Sequence, residues 1–324
     1  MESLQTAQNS RYTRNIINQT SLQEFVLVGF TDIRELQVVL FCLFLMFFLL
    51  NVTGNISILW FVTFDSTLHT PMYFFLGNLS FFDISFSCVA VPKMLHDFLS
   101  QQKTISFGGC ITQMHFFHFL GSSEVTLLTI MSYDRLVAIG NPLRYSVIMN
   151  RRLCVGLVIG SYITGFLHSL LHTLLTAKLP FCGPNKVNHF FCDIKPVLIL
   201  ACADISLNLK LLTMVTGYLA TTSFLLTVFP YLLISKFLLK MQTLQGRKRA
   251  FSTCSSHLMV VFLLFGTAMF TYLGPSSQDI LDQDRAAAVL FTVVTPALNP
   301  VIYTLRNQDM KKVMKKAIKK WMKI

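Results

Sequence analysis

The sequence Met131–Ile139, MSYDRLVAI, ends a long apolar run that begins near Phe107. It places an acid, Asp134, directly beside a base, Arg135, and a basic loop with Pro142 follows. At the end of a membrane-length helix, an arginine can pair with its neighbour or with a polar group on another helix, and two alternative partners make a two-state switch. The alternative interpretation is an interfacial anchor, in which the arginine reaches the headgroups and the aspartate neutralises it.

The composition is that of a polytopic membrane protein. Of 324 residues, 53% are hydrophobic and 13% are charged, and the mean hydropathy is +0.58. Soluble domains carry about 25% charged residues. The net charge of +12 lies in short connections and at the C-terminus, which favours contact with anionic membrane lipids over nucleic acid. We therefore predict an all-α membrane protein.

The hydropathy pattern predicts a seven-helix bundle, since each crossing needs about 20 apolar residues. We expect an outer N-terminal segment (1–37), a transmembrane domain (38–305) and a basic tail (306–324). The start of the chain lacks the apolar core of a cleavable signal peptide, so the first span is expected to act as the insertion signal. The predicted spans are 38–62, 71–95, 107–139, 154–177, 206–235, 254–274 and 285–305.

The distribution of basic residues predicts the orientation. With the N-terminus outside, the second and third inner loops and the tail contain 17 of the 27 Lys and Arg residues. We expect a plasma-membrane protein with a cytoplasmic C-terminus. The sequon at Asn18 would then be glycosylated on the outer side. The tail from Met310 to Ile324 alternates apolar and lysine faces, which predicts an amphipathic helix in the inner membrane interface, with calmodulin binding as the alternative.

Four cysteines fall on the outer side: Cys110, Cys182, Cys192 and Cys202. In an oxidising compartment they predict two disulfides, and the sequence allows three pairings. Zinc is the competing interpretation, but the spacing lacks the close ligand pairs of a zinc site.

Two carboxyl groups lie inside predicted spans, Asp83 and Glu124. A carboxylate in hydrocarbon must be neutralised, paired or hydrated. The two could share a proton or bind a cation such as Na⁺, with Asn55 and Asn299 as oxygen donors. The alternative is a pair of protonated acids that only hydrogen-bond within the bundle.

Other polar groups inside the spans suggest a hinge and a lined cavity. Two prolines in Pro296–Tyr303 remove backbone donors and predict a hinge, or a static kink, near the inner end of the last span. Four histidines in spans three and four could bind metal but more simply hydrogen-bond within the bundle or line a cavity: His115, His118, His168 and His172. We find no enzyme motif and predict that the protein is not an enzyme.

Taken together, these motifs resemble the rhodopsin-like G-protein-coupled receptors and, more narrowly, the olfactory receptors. The broad class is suggested by MSYDRLVAI and by NPVIY at Asn299–Tyr303. The narrower family is suggested by PMYFFL at Pro71–Leu76 and AFSTCSSHL at Ala250–Leu258. The resemblance runs from about Asn18 to Asn307.

The resemblance implies roles for matching positions. The G-protein switch would comprise Asp134, Arg135, Tyr231, Asn299, Pro300 and Tyr303, with both tyrosines as active-state partners of the arginine. Asp83 and Glu124 would form the ion site. Cys110–Cys192 would be the disulfide shared by these receptors, and we predict Cys182–Cys202 as the second. An odorant would lie in the outer half among spans three, five, six and seven, and the candidate contacts are His118, Gly121, Ser122, Ala268, Met269, Tyr272 and Val289.

Four positions depart from the family pattern. Leu136 and Gly140 stand where Tyr and Cys are usual, Pro230 replaces a Ser, and Phe265 replaces a Tyr. We expect a receptor for a small, mostly apolar odorant that activates a stimulatory G protein. The alternatives are a receptor for an endogenous small molecule, a receptor-like protein that does not signal, and a channel or transporter in which Asp83 and Glu124 line the path.

Overall fold

A computed structural model describes residues 23–182, 184–240, 243–273 and 281–321 of the chain. Seven long helices run through these residues, so the predicted all-α seven-helix bundle is confirmed. The helices are α1 (Arg34–Phe64), α2 (Pro71–Leu99), α3 (Phe107–Gly140), α4 (Arg151–Ala177), α5 (Ser206–Leu211, Leu212–Thr216 and Gly217–Lys240), α6 (Leu244–Leu273) and α7 (Leu281–Val289, Leu290–Val294 and Thr295–Arg306).

Five of these helices, α1, α2, α4, α5 and α7, are long and apolar enough to cross a membrane. The 34 residues of α3 extend about 51 Å, and α6 contains the shorter apolar segment Cys254–Met269. The predicted span boundaries lie within about five residues of the helix ends, except at the start of α6. That helix begins at Leu244, ten residues before the predicted start at 254, because the polar residues ahead of the apolar segment are also helical.

Helix α3 lies at the centre of the bundle and packs against α2, α4 and α5. Its contact with α4 is the closest of these because α4 has a glycine there. A Cβ atom added to Gly165 would lie 2.1 Å from the Ser123 Oγ and 2.5 Å from the Phe119 carbonyl oxygen. This approach brings the histidines of α4 next to those of α3.

Two short segments of helices α5 and α7, Leu212–Thr216 and Leu290–Val294, are π-helical. A π turn adds a residue to the helical turn and is common at functional sites. Both segments lie in the same outer half of the bundle as the cavity described below, and each contributes one residue to it.

The outer end carries a small sheet that the sequence did not predict. Strands β1 (Glu24–Leu27), β2 (Thr104–Ser106) and β3 (Lys186–Val187) are ordered β2-β1-β3. Strand β1 is antiparallel to β2, with Glu24 opposite Ser106, and parallel to β3, with Val26 opposite Lys186. The strand just before α1 is thereby tied to the loops that precede α3 and α5.

The inner end carries helix α8 (Gln308–Trp321). Asn307 caps it, because its Oδ1 accepts hydrogen bonds from the amides of Asp309 and Met310 and from the Tyr73 hydroxyl. Met310 and Val313 are buried against the bundle core. The exposed face includes Lys311, Lys312, Lys315, Lys316 and Lys319. The predicted amphipathic helix is therefore present, and its membrane contact stays a prediction.

Candidate functional site

A cavity of about 50 Å³ lies in the outer half of the bundle. At about 10–15 Å³ for each water, it has room for roughly four water molecules. Its wall is mostly apolar and draws on five helices: Phe117, His118, Gly121, Ser122 and Val125 from α3, His168 from α4, Thr216, Leu219 and Ala220 from α5, Ala268 from α6, and Phe291 from α7.

One part of the wall is polar. The Ser122 Oγ lies 2.9 Å from the Nδ1 of His168, and the Nε2 of the same ring lies 3.0 Å from the Thr216 Oγ1. The imidazole thus links hydroxyls on α3 and α5. Next to it, the His118 Nε2 lies 2.9 Å from the Asp193 carboxylate, and both side chains are buried.

Four of the seven predicted ligand contacts line this cavity: His118, Gly121, Ser122 and Ala268. Met269 and Val289 are not among its lining residues and pack against the main hydrophobic core instead. The side chain of Tyr272 lies outside the described residues. The wall also includes α4 through His168, which is one of the histidines predicted to hydrogen-bond within the bundle or line a cavity but is not among the predicted ligand contacts.

The outer loop between α4 and α5 lies next to the cavity, because its Asp193 contacts His118. Disulfides Cys110–Cys192 and Cys182–Cys202, the two predicted pairs, are both bonded. Asp193 caps the short helix Ile194–Leu198, and its carboxylate accepts the Ile194 amide at 2.7 Å. The sequon at Asn18 lies outside the described residues.

Charge in this loop is set by burial and by the His118 contact. Burial opposes ionisation of Asp193, but the hydrogen bond and charge of His118 hold the pKa of that carboxyl below its usual range. Burial lowers the pKa of the neighbouring His189 to about 4. The loop therefore carries an ionised acid beside a neutral imidazole at neutral pH.

The centre of the bundle contains a buried polar cluster around Asp83. Its carboxylate accepts two hydrogen bonds from the Asn299 amide, at 2.9 and 3.1 Å, and it interacts electrostatically with Glu124. Three buried oxygen atoms near this cluster are among those without a hydrogen-bond partner in the described part of the chain: Glu124 Oε1, Asn55 Oδ1 and Asn299 Oδ1. Carboxylate and amide oxygens are the donors that hard cations prefer. The donor types are those that the predicted Na⁺ would need, and Na⁺ binding here stays a prediction.

At the inner end, Arg135 is buried beside Asp134, with 3.9 Å between the guanidinium and the carboxylate. Asp134 also accepts a hydrogen bond from the Tyr145 hydroxyl at 2.7 Å. The space beside the arginine is about 10 Å³, room for about one water, and is lined by Met72, Leu76, Arg135, Ser256, Tyr303 and Asn307. The role of these residues as a switch stays a prediction.

The two tyrosines predicted to pair with Arg135 in the active state do not hydrogen-bond to it in this structure, although Tyr303 lines the same small space. The Tyr231 hydroxyl lies 2.7 Å from the His257 Nδ1 and links α5 to α6. The Tyr303 hydroxyl is buried and has no hydrogen-bond partner within the described residues. His257 is not among the predicted site residues, although it lies in the AFSTCSSHL segment.

Comparison with known proteins identifies the family. The sequence model described as "Olfactory receptor" matches residues 41–321. Human olfactory receptor 12D1 is 52% identical over 308 residues, which cover 95% of this chain and 96% of that protein. Human olfactory receptor 12D2 is 50% identical, covering 94% and 100%, and mouse olfactory receptor 5G9 is 48% identical, covering 94% and 96%. The chain belongs to the olfactory receptor family.

As a member of this family, the chain is a multi-pass membrane protein of a receptor rather than an enzyme class. Three residues that depart from the family pattern contact α5. Leu136 packs against the cluster of Tyr231, Ile234 and Cys254. A Cβ atom on Gly140 would lie 3.3 Å from the Phe237 ring, and the buried Phe265 ring lies 5.6 Å from that of Phe224. Pro230, the fourth, lies within α5 itself.

Proposed function

We propose that this olfactory receptor binds a small, mostly apolar volatile molecule in the outer cavity and activates a stimulatory, adenylyl-cyclase-coupled G protein at its inner end. The single observation that supports the binding step is the largely apolar cavity lined by α3 through α7. A concave, mostly apolar space with a few polar groups is the usual form of a small-molecule site.

The small size of the cavity would couple ligand binding to a movement of the helices, and so to signalling. A space of about 50 Å³ accepts a molecule larger than a few waters only if the surrounding helices shift. A ligand that prefers the shifted bundle changes the population of the two states by that difference in affinity. The odorant therefore acts on the bundle as a whole.

We expect the movement of the helices to affect G-protein binding at the inner end of the bundle. The space beside Arg135 admits about one water and excludes a helix of a G protein. An outward movement of α6 would separate His257 from Tyr231 and open this space. We propose that the freed Tyr231 hydroxyl then pairs with Arg135, in a plasma-membrane orientation with α8 in the cytoplasm.

We also propose that Na⁺ occupies the polar cluster in the inactive bundle. Asp83 and Glu124 would supply charge and the amide oxygens of Asn55 and Asn299 would complete the shell, because those oxygens and the Glu124 Oε1 have no partner among the described residues. Asp83→Asn should abolish any dependence of basal signalling on Na⁺ concentration, with Li⁺ and choline salts as controls.

The test of the function measures cyclic AMP in cells that express the chain with a stimulatory olfactory-type G protein, over a broad odorant panel. Arg135→Ala should abolish the response at equal surface level. Arg144→Ala is the matched control, because Arg144 is exposed in the adjacent inner loop. A response that survives Arg135→Ala, or no response from any well-displayed variant, would count against the proposal.

A further inference from the structure

Three polar side chains of the cavity form one hydrogen-bonded chain across three helices. Ser122 of α3 and Thr216 of α5 each face one nitrogen of the His168 ring, at 2.9 and 3.0 Å. All three residues line the cavity. The number of their O–H and N–H hydrogens, compared with the number of hydrogen bonds among them, shows whether a ligand should supply a hydrogen-bond donor or an acceptor.

The Ser122–His168–Thr216 group has one more polar hydrogen than its internal hydrogen bonds need. With a neutral imidazole, the two hydroxyls and the ring N–H supply three hydrogens for two internal hydrogen bonds. In one tautomer the Ser122 hydroxyl keeps its hydrogen, and in the other the Thr216 hydroxyl does. If the ring is protonated, both nitrogens donate and both hydroxyls keep theirs. At least one O–H is left over in every protonation state.

The spare hydrogen has no acceptor in the helices. Serine and threonine in helices commonly donate to the carbonyl four residues before them, as Ser123 and Thr126 do to Phe119 and Ser122. Within the described residues, Ser122 and Thr216 make no such bond through their hydroxyls. Thr216 lies in the π-helical segment Leu212–Thr216, where the usual backbone spacing is altered. The spare O–H hydrogen is therefore available to a molecule in the cavity, which both hydroxyl residues line.

We infer that the cavity selects a small neutral molecule with a hydrogen-bond acceptor oxygen, such as a ketone, aldehyde, ester or ether. This inference rests on the proposed function and specifies its ligand class. The oxygen would accept from Ser122 or Thr216. The hydrocarbon part would lie against the apolar wall, which includes Phe117, Val125, Leu219, Ala268 and Phe291.

Charged ligands do not suit this wall. Among the described residues that line the cavity there is no Lys or Arg to neutralise a carboxylate. An alkylammonium has no lone pair for the spare O–H. A hydrocarbon leaves that O–H unpaired in an apolar space, which is unfavourable. An acceptor oxygen on the ligand is the group that can accept a hydrogen bond from the spare O–H.

The test measures binding to the purified full-length receptor by ligand-induced shifts in thermal unfolding. The probes are methyl butyl ketone, hexane, hexanoic acid and hexylamine, which have similar hydrocarbon chains. The ketone should bind at least about tenfold more tightly than hexane. Equal affinity for the two, tighter binding of the acid or the amine, or no binding of any probe would overturn the inference.

Variants test the hydrogen count itself. Each single substitution, Ser122→Ala or Thr216→Val, removes one hydrogen and one internal bond, so one spare hydrogen remains and selectivity should fall by less than about threefold. The triple variant Ser122→Ala/His168→Phe/Thr216→Val removes all of them, and ketone and hexane should then bind equally. Retained hexane binding shows that the triple variant is folded. If it fails to fold, the double variant Ser122→Ala/Thr216→Val tests the count instead: the ring N–H of His168 is then the one spare hydrogen, so selectivity for the ketone should be kept, and its loss would contradict the inference.

Two further comparisons complete the design. Thr221→Val is the control on α5, because Thr221 is exposed and lies outside the cavity wall, and it should leave selectivity unchanged. Cyclic AMP in cells separates this inference from the proposed function. Selective ketone binding without a cyclic AMP response would contradict the proposed function only, whereas cyclic AMP responses of equal potency to all four probes would contradict the inference only.

Discussion

The outer and inner ends of the bundle are held together by different kinds of contact. The outer end has two disulfides and a three-stranded sheet that tie β1, the α4–α5 loop and α3 into one cap. The inner end is joined by single side-chain hydrogen bonds, such as Tyr145 to Asp134 and Tyr231 to His257. A disulfide contributes about 2–4 kcal/mol and a hydrogen bond about 1 kcal/mol.

Unpaired buried groups occur in both halves, but the outer half, which has the Asp97 Oδ2 and the His172 Nε2, is also cross-linked by the two disulfides. Within the described residues of the inner half, the Arg135 Nε, the His257 Nε2 and the Tyr303 hydroxyl are buried without a hydrogen-bond partner. Each such group raises the free energy of the present arrangement by about 1–3 kcal/mol until a partner is found. An arrangement with several unpaired groups competes closely with another that pairs them, so we expect the inner end to be the part that moves.

The largest expected effect is the loss of an outer disulfide. Cys110–Cys192 spans 82 residues and Cys182–Cys202 spans 20, so chain entropy predicts losses of about 4.5 and about 3.3 kcal/mol on replacing each pair by serine. Thermal unfolding of the two double variants should show this order. Cys88→Ser is the control because that thiol is free and exposed. Equal losses would show that the longer loop is already ordered without its bond.

The next effect is a pH dependence of the outer cap. The pKa of His189 is about 4 in the fold and about 6.5 in an unfolded chain. Between these values the unfolded cap binds a proton that the folded cap excludes, so stability falls as pH drops from about 6.5 to about 4, by up to about 3 kcal/mol. It should not change above about pH 7.

His189→Phe should flatten this dependence in unfolding measured from pH 7.5 to pH 5. His96→Phe is the comparison variant, because the side chain of His96 is 67% exposed. A pH profile that is the same in His189→Phe and in the wild type would mean that other groups destabilise the cap in acid.

A smaller effect is expected at the α3–α4 contact, midway between the two ends. Gly165→Ala would drive a methyl group into Ser123 and the Phe119 carbonyl and should destabilise the bundle by about 1–3 kcal/mol. Gly160→Ala on the same helix meets nothing within 4 Å and should be neutral or slightly stabilising. If both variants unfold at the same temperature, α3 and α4 can move apart to accommodate the methyl group without loss of bundle stability.

The seven helices could be predicted from sequence because an apolar run in hydrocarbon must satisfy its own backbone, and a helix is the local way to do so. The sheet could not, because its three short strands pair segments from distant parts of the chain. Cavity residues on α3 were predicted from the resemblance to the olfactory receptors, and His118, Gly121 and Ser122 do share one helix face. Thr216 and Phe291 were missed because both lie in π turns, which rotate the following side chains away from the regular α-helical spacing.

The smallest expected effect comes from breaking the Tyr231–His257 hydrogen bond at the inner end. His257→Phe removes the bond to Tyr231 while keeping an aromatic ring, and it leaves the Tyr231 hydroxyl free to reach Arg135. Loss of about 1 kcal/mol from the closed state should raise basal cyclic AMP by about fivefold. Tyr231→Phe breaks the same bond but also removes the hydroxyl that the open state would use, so basal cyclic AMP should stay flat or fall. Ser235→Ala, at an exposed position on α5, is the control. An equal rise in both aromatic variants would mean that the bond only holds the closed state and that Tyr231 has no part in the open one.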